Sequence, residues 1–196
     1  PIMNYLYDGV VIHYIDPNIR QKLGRINSVN QYSIAIKFNP MKKKTIFRGY
    51  TYTVGQDGRI TPMAHYDPVE FLGTIHTKSS CHSYGRFKEL NLAIGDVIDV
   101  TYVNDVMPYV TRPFDGEYVG EFEEQHYPEQ FPEYCPSCGT HLIFSEGGAG
   151  DSAICPNLQC PARTIAKLAN MLDKLGIKGF AESSVEKLGV KSFEEL

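Results

Sequence analysis

No stretch of this 196-residue sequence is apolar for long enough to span a bilayer, which takes roughly 20 consecutive apolar residues. Residues 1–20 also lack the charged-then-apolar pattern of a secretion signal. The expectation is a cytoplasmic protein that keeps its thiols reduced. Excess positive charge is missing too: 19 Lys and Arg face 23 Asp and Glu, for a formal charge of −4. That argues against a general polyanion binder and leaves local basic patches. Lys42-Lys43-Lys44 is one, and Lys78, Arg86 and Lys88 form a looser one; each is equally well read as solvated surface. Hydrophobic residues, at 42%, are ample for folded cores.

Cysteine is scarce, yet four of the five lie in two close pairs, Cys135-Pro136-Ser137-Cys138 and Cys155-Pro156-Asn157-Leu158-Gln159-Cys160. C-x2-C followed by C-x4-C is how two knuckles present four thiolates to one tetrahedral Zn²⁺. Four sulfur ligands leave no open position for water, so such a site is structural rather than catalytic. Two disulfides would compete only in a secreted chain, and they would leave Cys81 over. Between the pairs, His141-Leu142-Ile143-Phe144 and Ser152-Ala153-Ile154 read as strands of a hairpin turned by Gly147-Gly148-Ala149-Gly150.

Elsewhere the patterning is mostly strand-like. Tyr7-Asp8-Gly9 is a turn signal leading into the β-branched run Val10-Val11-Ile12. A polar helix-like stretch follows over residues 16–23. Residues 32–38 then alternate, with Ile34, Ile36 and Phe38 on one face and Ser33, Ala35 and Lys37 on the other. Taken alone, a lysine in that position reads as lying on an edge strand. Two or three strands cannot bury both faces, so this segment needs strands from elsewhere. Residues 46–54, 60–64, 69–77 and 96–103 read as short strands broken by turns such as Gly55-Gln56-Asp57-Gly58. Such regular spacing suggests a small closed barrel, an OB-fold before an SH3-like barrel. Residues 113–131 are acidic and aromatic and read as a linker packed on it. Residues 164–175 place Ile165, Leu168, Ala169, Leu172 and Leu175 on one helical face. Gly176-Ile177-Lys178-Gly179 interrupts that helix before a second one over residues 182–188. Helix, glycine turn, helix fits a helix-hairpin-helix, whose turn amides can hold a DNA phosphate, and equally an ordinary αα-hairpin.

The ordered set resembles the C-terminal portion of bacterial-type NAD-dependent DNA ligases along almost the whole chain. Asp8-Gly9-Val10-Val11-Ile12 and Ala35-Ile36-Lys37-Phe38 resemble the fourth and fifth nucleotidyltransferase motifs. Val54-Gly55, Gly58, Thr61-Pro62, Pro68-Val69, Gly73, His82, Ile94-Gly95-Asp96 and Asp105-Val106-Met107-Pro108 resemble the barrel signature. Cys155 through Cys160-Pro161-Ala162 is similar to the zinc element, and Ile177-Lys178-Gly179-Phe180 to the first hairpin. The resemblance implies nick sealing, in which a lysine takes AMP from NAD with Mg²⁺ assisting. It also implies catalytic roles for Lys37 and Asp8, with Lys37 and His13 facing the nucleotide. DNA contacts would come from Lys78, Arg86, Lys88, Gly176, Lys178 and Gly179.

Departures are as informative. The nucleophilic lysine of the family sits in Lys-x-Asp-Gly, and the sequence holds no such motif. His13 stands where the fourth motif normally ends in lysine, and a mostly neutral histidine would contact phosphate more weakly. Thr101-Tyr102 replaces a basic pair, and Ala181 replaces the second hairpin glycine.

The expected fold is α+β and multi-domain. Residues 1–44 would form the end of a nucleotidyltransferase sheet and 45–130 an OB-fold with its acidic linker. Residues 131–163 would form the zinc finger and 164–196 an incomplete helix-hairpin-helix. The expected function is the C-terminal subunit or fragment of an NAD-dependent ligase that seals nicks in duplex DNA. Its partner chain would carry the Lys-x-Asp-Gly lysine, and this chain alone would be inactive. A non-catalytic DNA-binding module in replication or repair is the alternative.

Overall fold

The computed structural model describes residues 9–37, 40–103, 107–112, 127–147, 150–189 and 195. Asp8, Phe38, Asp105, Val106, the acidic segment 113–126 and Gly148-Ala149 lie outside the described residues. The chain opens with β1 (Gly9–His13), α1 (Pro17–Leu23), β2 (Arg25–Ile26), β3 (Val29–Asn30) and β4 (Ser33–Lys37). Asp16 caps α1 by accepting from Asn18 N (2.8 Å), and Pro17 opens the helix where a missing amide costs nothing. β1 and β4 pair antiparallel, from Gly9 opposite Lys37 to His13 opposite Ser33. A Cβ on Gly9 would lie 2.6 Å from Ile36 O, so glycine allows this close cross-strand approach.

The barrel follows: β5 (Met41–Val54), β6 (Ile60–Phe71), β7 (Thr74–Ser80), α2 (Tyr84–Leu90), β8 (Val97–Val103) and β9 (Met107–Thr111). The five strands form one antiparallel sheet in the order β7-β6-β5-β8-β9, which curls until its two edges approach each other. Curling buries Phe47, Phe71, Leu90, Ile98, Val100 and Val110. Phe87 and Leu90 of α2 close one end. β9 and α2 add to the strands read from the sequence. Residues 69–77 are not one strand: the chain reverses at Leu72-Gly73, both at positive φ (50° and 79°), so β6 and β7 form a hairpin. Pro68, which cannot donate to a ladder, falls where the β6–β7 register shifts between His65 and Val69.

β10 (Ile143–Ser145) and β11 (Ser152–Ile154) form the expected ribbon hairpin, followed by α3 (Pro161–Lys174) and α4 (Glu182–Leu188). α3 begins earlier than the apolar period suggested, directly after Cys160. Leu168 and Leu172 pack on Val185 of α4, whereas Leu175 is exposed because the helix has already ended in a turn.

A second core joins ribbon to barrel: Val54 and Ile60 pack with Leu142, Ala153 and the cysteines. Backbone pairing continues across this junction through a bridge between Arg59 and Ile154 and a bond from Cys155 N to Gly58 O (2.8 Å). Gly58 is at φ 88°, and a Cβ there would lie 2.6 Å from Cys155 O. Gly58→Ala must therefore adopt a strained backbone and push the ribbon away. A loss of about 1–3 kcal/mol is expected. Thermal denaturation of the zinc-loaded chain checks this; an unchanged midpoint would mean the ribbon does not seat on the hairpin as described.

Candidate metal centre and its surroundings

The sulfur atoms of Cys135, Cys138, Cys155 and Cys160 all lie within 4.8 Å of one another. Cys135 Sγ is 3.8 Å from Cys160 Sγ, and Cys138 Sγ is 3.6 Å from Cys155 Sγ. A tetrahedron with Zn–S bonds of about 2.3 Å has sulfur–sulfur edges of about 3.8 Å. The separations fit one Zn²⁺ and are far too long for disulfides, and all five cysteines are free. The first knuckle is set by its backbone: Cys135 N donates to Thr140 O (2.8 Å) and Gly139 N to Cys135 O (2.9 Å).

The thiols differ in their readiness to ionise. The Thr140 hydroxyl, 3.2 Å from Cys138 Sγ, draws that thiol down to about 6. Burial pushes Cys155 up to about 12 and raises Cys135 as well. Burial thus disfavours the thiolate at both positions, and a cation held among the four sulfurs would favour it.

Around the centre, Phe131 packs on Tyr84, Phe87 and Tyr52, with ring centroids 4.8, 5.2 and 5.1 Å away. Glu129 N donates to Leu92 O (2.8 Å), so the end of the acidic linker does lie on the barrel. Lys88 on α2 reaches the ribbon hairpin, with Nζ 2.6 Å from Asp151 and 3.0 Å from Glu146 and lying 4.9 Å above the Tyr84 ring. Its hydrogen bonds to both carboxylates raise the Lys88 pKa, and Lys88 holds Asp151 below its usual range. A lowered carboxylate contributes above its ordinary value and fails as pH falls through the lowered one; a raised amine fails only in alkali beyond its ordinary value. The pair is thus insensitive to pH near neutrality and sensitive to salt.

The residues expected at DNA are distributed over several elements. Arg86 binds Glu89 (2.9 Å) and Val110 O (3.2 Å), so Arg86 and Lys88 both engage their own chain. Lys78 is exposed on β7, in register with His65. In the α3–α4 turn Gly176 N donates to Asp173 O (2.9 Å) and Ile177 N to Leu172 O (3.0 Å). The Lys178 and Gly179 amides have no partner among the described residues, and Gly176 and Gly179 take φ of 77° and 93°. Lys37 and His13 lie on one face of the β1–β4 ladder together with Val11, Ala35 and Ser33. Four residues of strand separate them along that face, roughly 13 Å at the usual rise.

Sequence reading missed Gly58 as a packing position and Lys88 as a clamp. Gly58 stands out in the sequence as a turn residue and as part of the barrel signature, neither of which shows what packs on it; the partners of Lys88 lie 58 or more residues away.

One zinc per chain is expected, and Cys135→Ser should lose it together with the ribbon's fold, since such sites contribute on the order of 10 kcal/mol. Cys81→Ala, buried in the barrel core, should leave metal content unchanged. Metal analysis of the purified variants checks both; a Cys135→Ser chain with full zinc would contradict the ligand set.

Comparison with known proteins agrees with this architecture. Residues 44–120 match the NAD-dependent DNA ligase OB-fold domain, and residues 134–162 match the NAD-dependent DNA ligase C4 zinc finger domain. A DNA ligase of Helicobacter pylori is 34% identical over 192 residues, covering 97% of this chain and 27% of that protein. A DNA ligase of Rubrobacter xylanophilus is 31% identical over 188 residues (95% and 27%). One from Sulfurihydrogenibium azorense is 34% identical over 188 residues (94% and 26%). The chain thus spans about a quarter of the length of these relatives. With barrel, four-cysteine centre and sequence in agreement, the chain belongs to the NAD-dependent DNA ligase family, of which it carries the OB-fold and C4 zinc finger domains.

Proposed function

We propose that this chain acts within an NAD-dependent DNA ligase that seals nicks in duplex DNA, working in the cytoplasm. The carrying observation is the β1–β4 ladder. One face bears Lys37 and His13, and the other bears Val10, Ile12, Ile34 and Ile36, each 46–65% exposed. Exposed apolar strand faces beside open edges call for a covering layer. A partner segment carrying the Lys-x-Asp-Gly lysine is that layer, and it would complete the nucleotidyltransferase sheet. When bound, NAD supplies the adenylyl group and Mg²⁺ offsets phosphate charge. Lys37 presents a preorganised cation to the developing negative charge, while His13, farther along the same face, contacts the nucleotide only when protonated. Asp8 precedes the ladder and is assigned to the same site.

The zinc centre holds the DNA-facing modules in one arrangement and takes no part in the chemistry. Phosphate contacts are assigned to the Lys178 and Gly179 amides in the α3–α4 turn, with its glycines giving the backbone its shape, and to Lys78. Arg86 and Lys88 support this surface by fixing α2 to the barrel and ribbon. Binding of this kind is independent of sequence and weakens with salt.

The test mixes this chain with a partner carrying the Lys-x-Asp-Gly lysine and measures nick sealing with NAD. Activity should require both chains, and label from NAD should appear only on the partner. Lys37→Ala should lower turnover about 10²-fold, as loss of one preorganised electrostatic contact does, while leaving partner binding intact. Full activity from Lys37→Ala, or sealing without this chain, would overturn the assignment.

A further inference from the structure

Arg163 is an unusual residue to find inside a protein without an acid beside it. It lies in the first turn of α3, just beyond the ligand Cys160, and is only 8% exposed. Its Nη1 donates to Cys155 O at 3.1 Å and reaches Asn157 O at 3.4 Å. Its Nε has no hydrogen-bond partner, and among the described residues no carboxylate pairs with it. Gly58 makes room for it, since a Cβ there would lie 3.1 Å from Nη1 and 3.2 Å from Cζ. Two neutral carbonyls do not compensate a buried guanidinium, which is costly unless a negative charge stands nearby.

That charge is available at the metal centre. One Zn²⁺ with four thiolates leaves a net charge of about −2. The carbonyl held by Arg163 belongs to one of the four ligands, so the guanidinium sits one peptide unit from the cluster. The start of α3 acts in the same sense. Its first turn follows Cys160 with no side-chain cap, and Ala162 N donates to Ser137 Oγ (3.2 Å) inside the first knuckle. The positive end of a 14-residue helix therefore starts at one ligand, Cys160, and contacts the knuckle that carries Cys135 and Cys138.

We propose that Arg163 is the counter-charge of the metal centre, offsetting the surplus negative charge of the four thiolates and thereby setting the affinity of the site for zinc. The proposal rests on the four-cysteine zinc reading and adds a residue outside its ligand set. Arg163 touches no metal and acts through the Cys155 peptide, as a positioning residue. Charge, rather than hydrogen bonding alone, is the claim, and the two can be separated. Glutamine keeps an amide that can donate to Cys155 O but carries no charge; lysine keeps the charge and loses the planar fork.

The experiment measures Zn²⁺ affinity of the full chain by competition with a chromophoric chelator, with Co²⁺ spectra as a check on tetrahedral geometry. Arg163→Gln should bind zinc about 10- to 100-fold more weakly, the usual effect of losing an outer-sphere partner. Arg163→Lys should stay within a few-fold of the unaltered chain. In a Cys138→His background, where a neutral ligand replaces one thiolate, the penalty of Arg163→Gln should shrink. Undiminished affinity in Arg163→Gln would overturn the proposal, as would an Arg163→Lys chain as weak as the glutamine variant or a penalty that persists beside Cys138→His. If Arg163→Gln does not fold even in excess zinc, Arg163→Lys alone decides: near-normal affinity supports the counter-charge and a large loss refutes it. Failure of the unaltered chain to bind zinc at all would instead overturn the metal reading.

Discussion

The bond from Cys155 N to Gly58 O, with the Arg59–Ile154 bridge beside it, is where the two halves of the molecule become one. A single backbone bond contributes only about 1 kcal/mol. This one sits on a metal ligand, and a tetrathiolate site is worth roughly ten times as much. Whatever fixes Cys155 in the metal centre therefore fixes the ribbon edge against the β5–β6 turn. Seating the ribbon buries Val54 and Ile60, which would otherwise leave the end of the barrel's long hairpin open to water. The order of dependence runs from metal to ribbon to barrel end.

The contacts around that junction divide the polar residues by task. Lys88 and Arg86 are held by acids and carbonyls of their own chain, so they stiffen the platform. Gly176 bonds within its own turn, whereas the Lys178 and Gly179 amides have no partner among the described residues. With a net charge of −4, the DNA contacts proposed for this chain fall on a few individual donors rather than a broad basic field. The β1–β4 ladder is different again: among the described residues it forms a two-stranded sheet of its own, with Val10, Ile12, Ile34 and Ile36 exposed on one face.

Local signals made much of this legible in the sequence. Cysteine spacing identified the metal centre because close ligand pairs impose a local geometry on the chain. Alternation over residues 33–37 identified β4 and placed Lys37 opposite the apolar face, as the register shows. The turn at Leu72-Gly73 escaped because leucine at positive φ announces nothing in a sequence, so two strands read as one. α2 escaped because seven residues containing a glycine carry too little period to stand out. Arg163, Lys88 and Gly58 derive their roles from groups distant in sequence or from a metal, and such roles become visible only when the chain is folded.

Hydrogen exchange across the β5–β6 turn and the ribbon, before and after removal of zinc by a chelator, tests the central dependence most directly. If metal, ribbon and barrel end form one unit, stripping zinc should release the Cys155 amide, which donates to Gly58 O, together with the ribbon amides and those of the β5–β6 turn, while the barrel centre around Phe47 and Val100 stays protected. Loss of protection confined to residues 134–154, with the Cys155 amide and the β5–β6 turn unaffected, would contradict it.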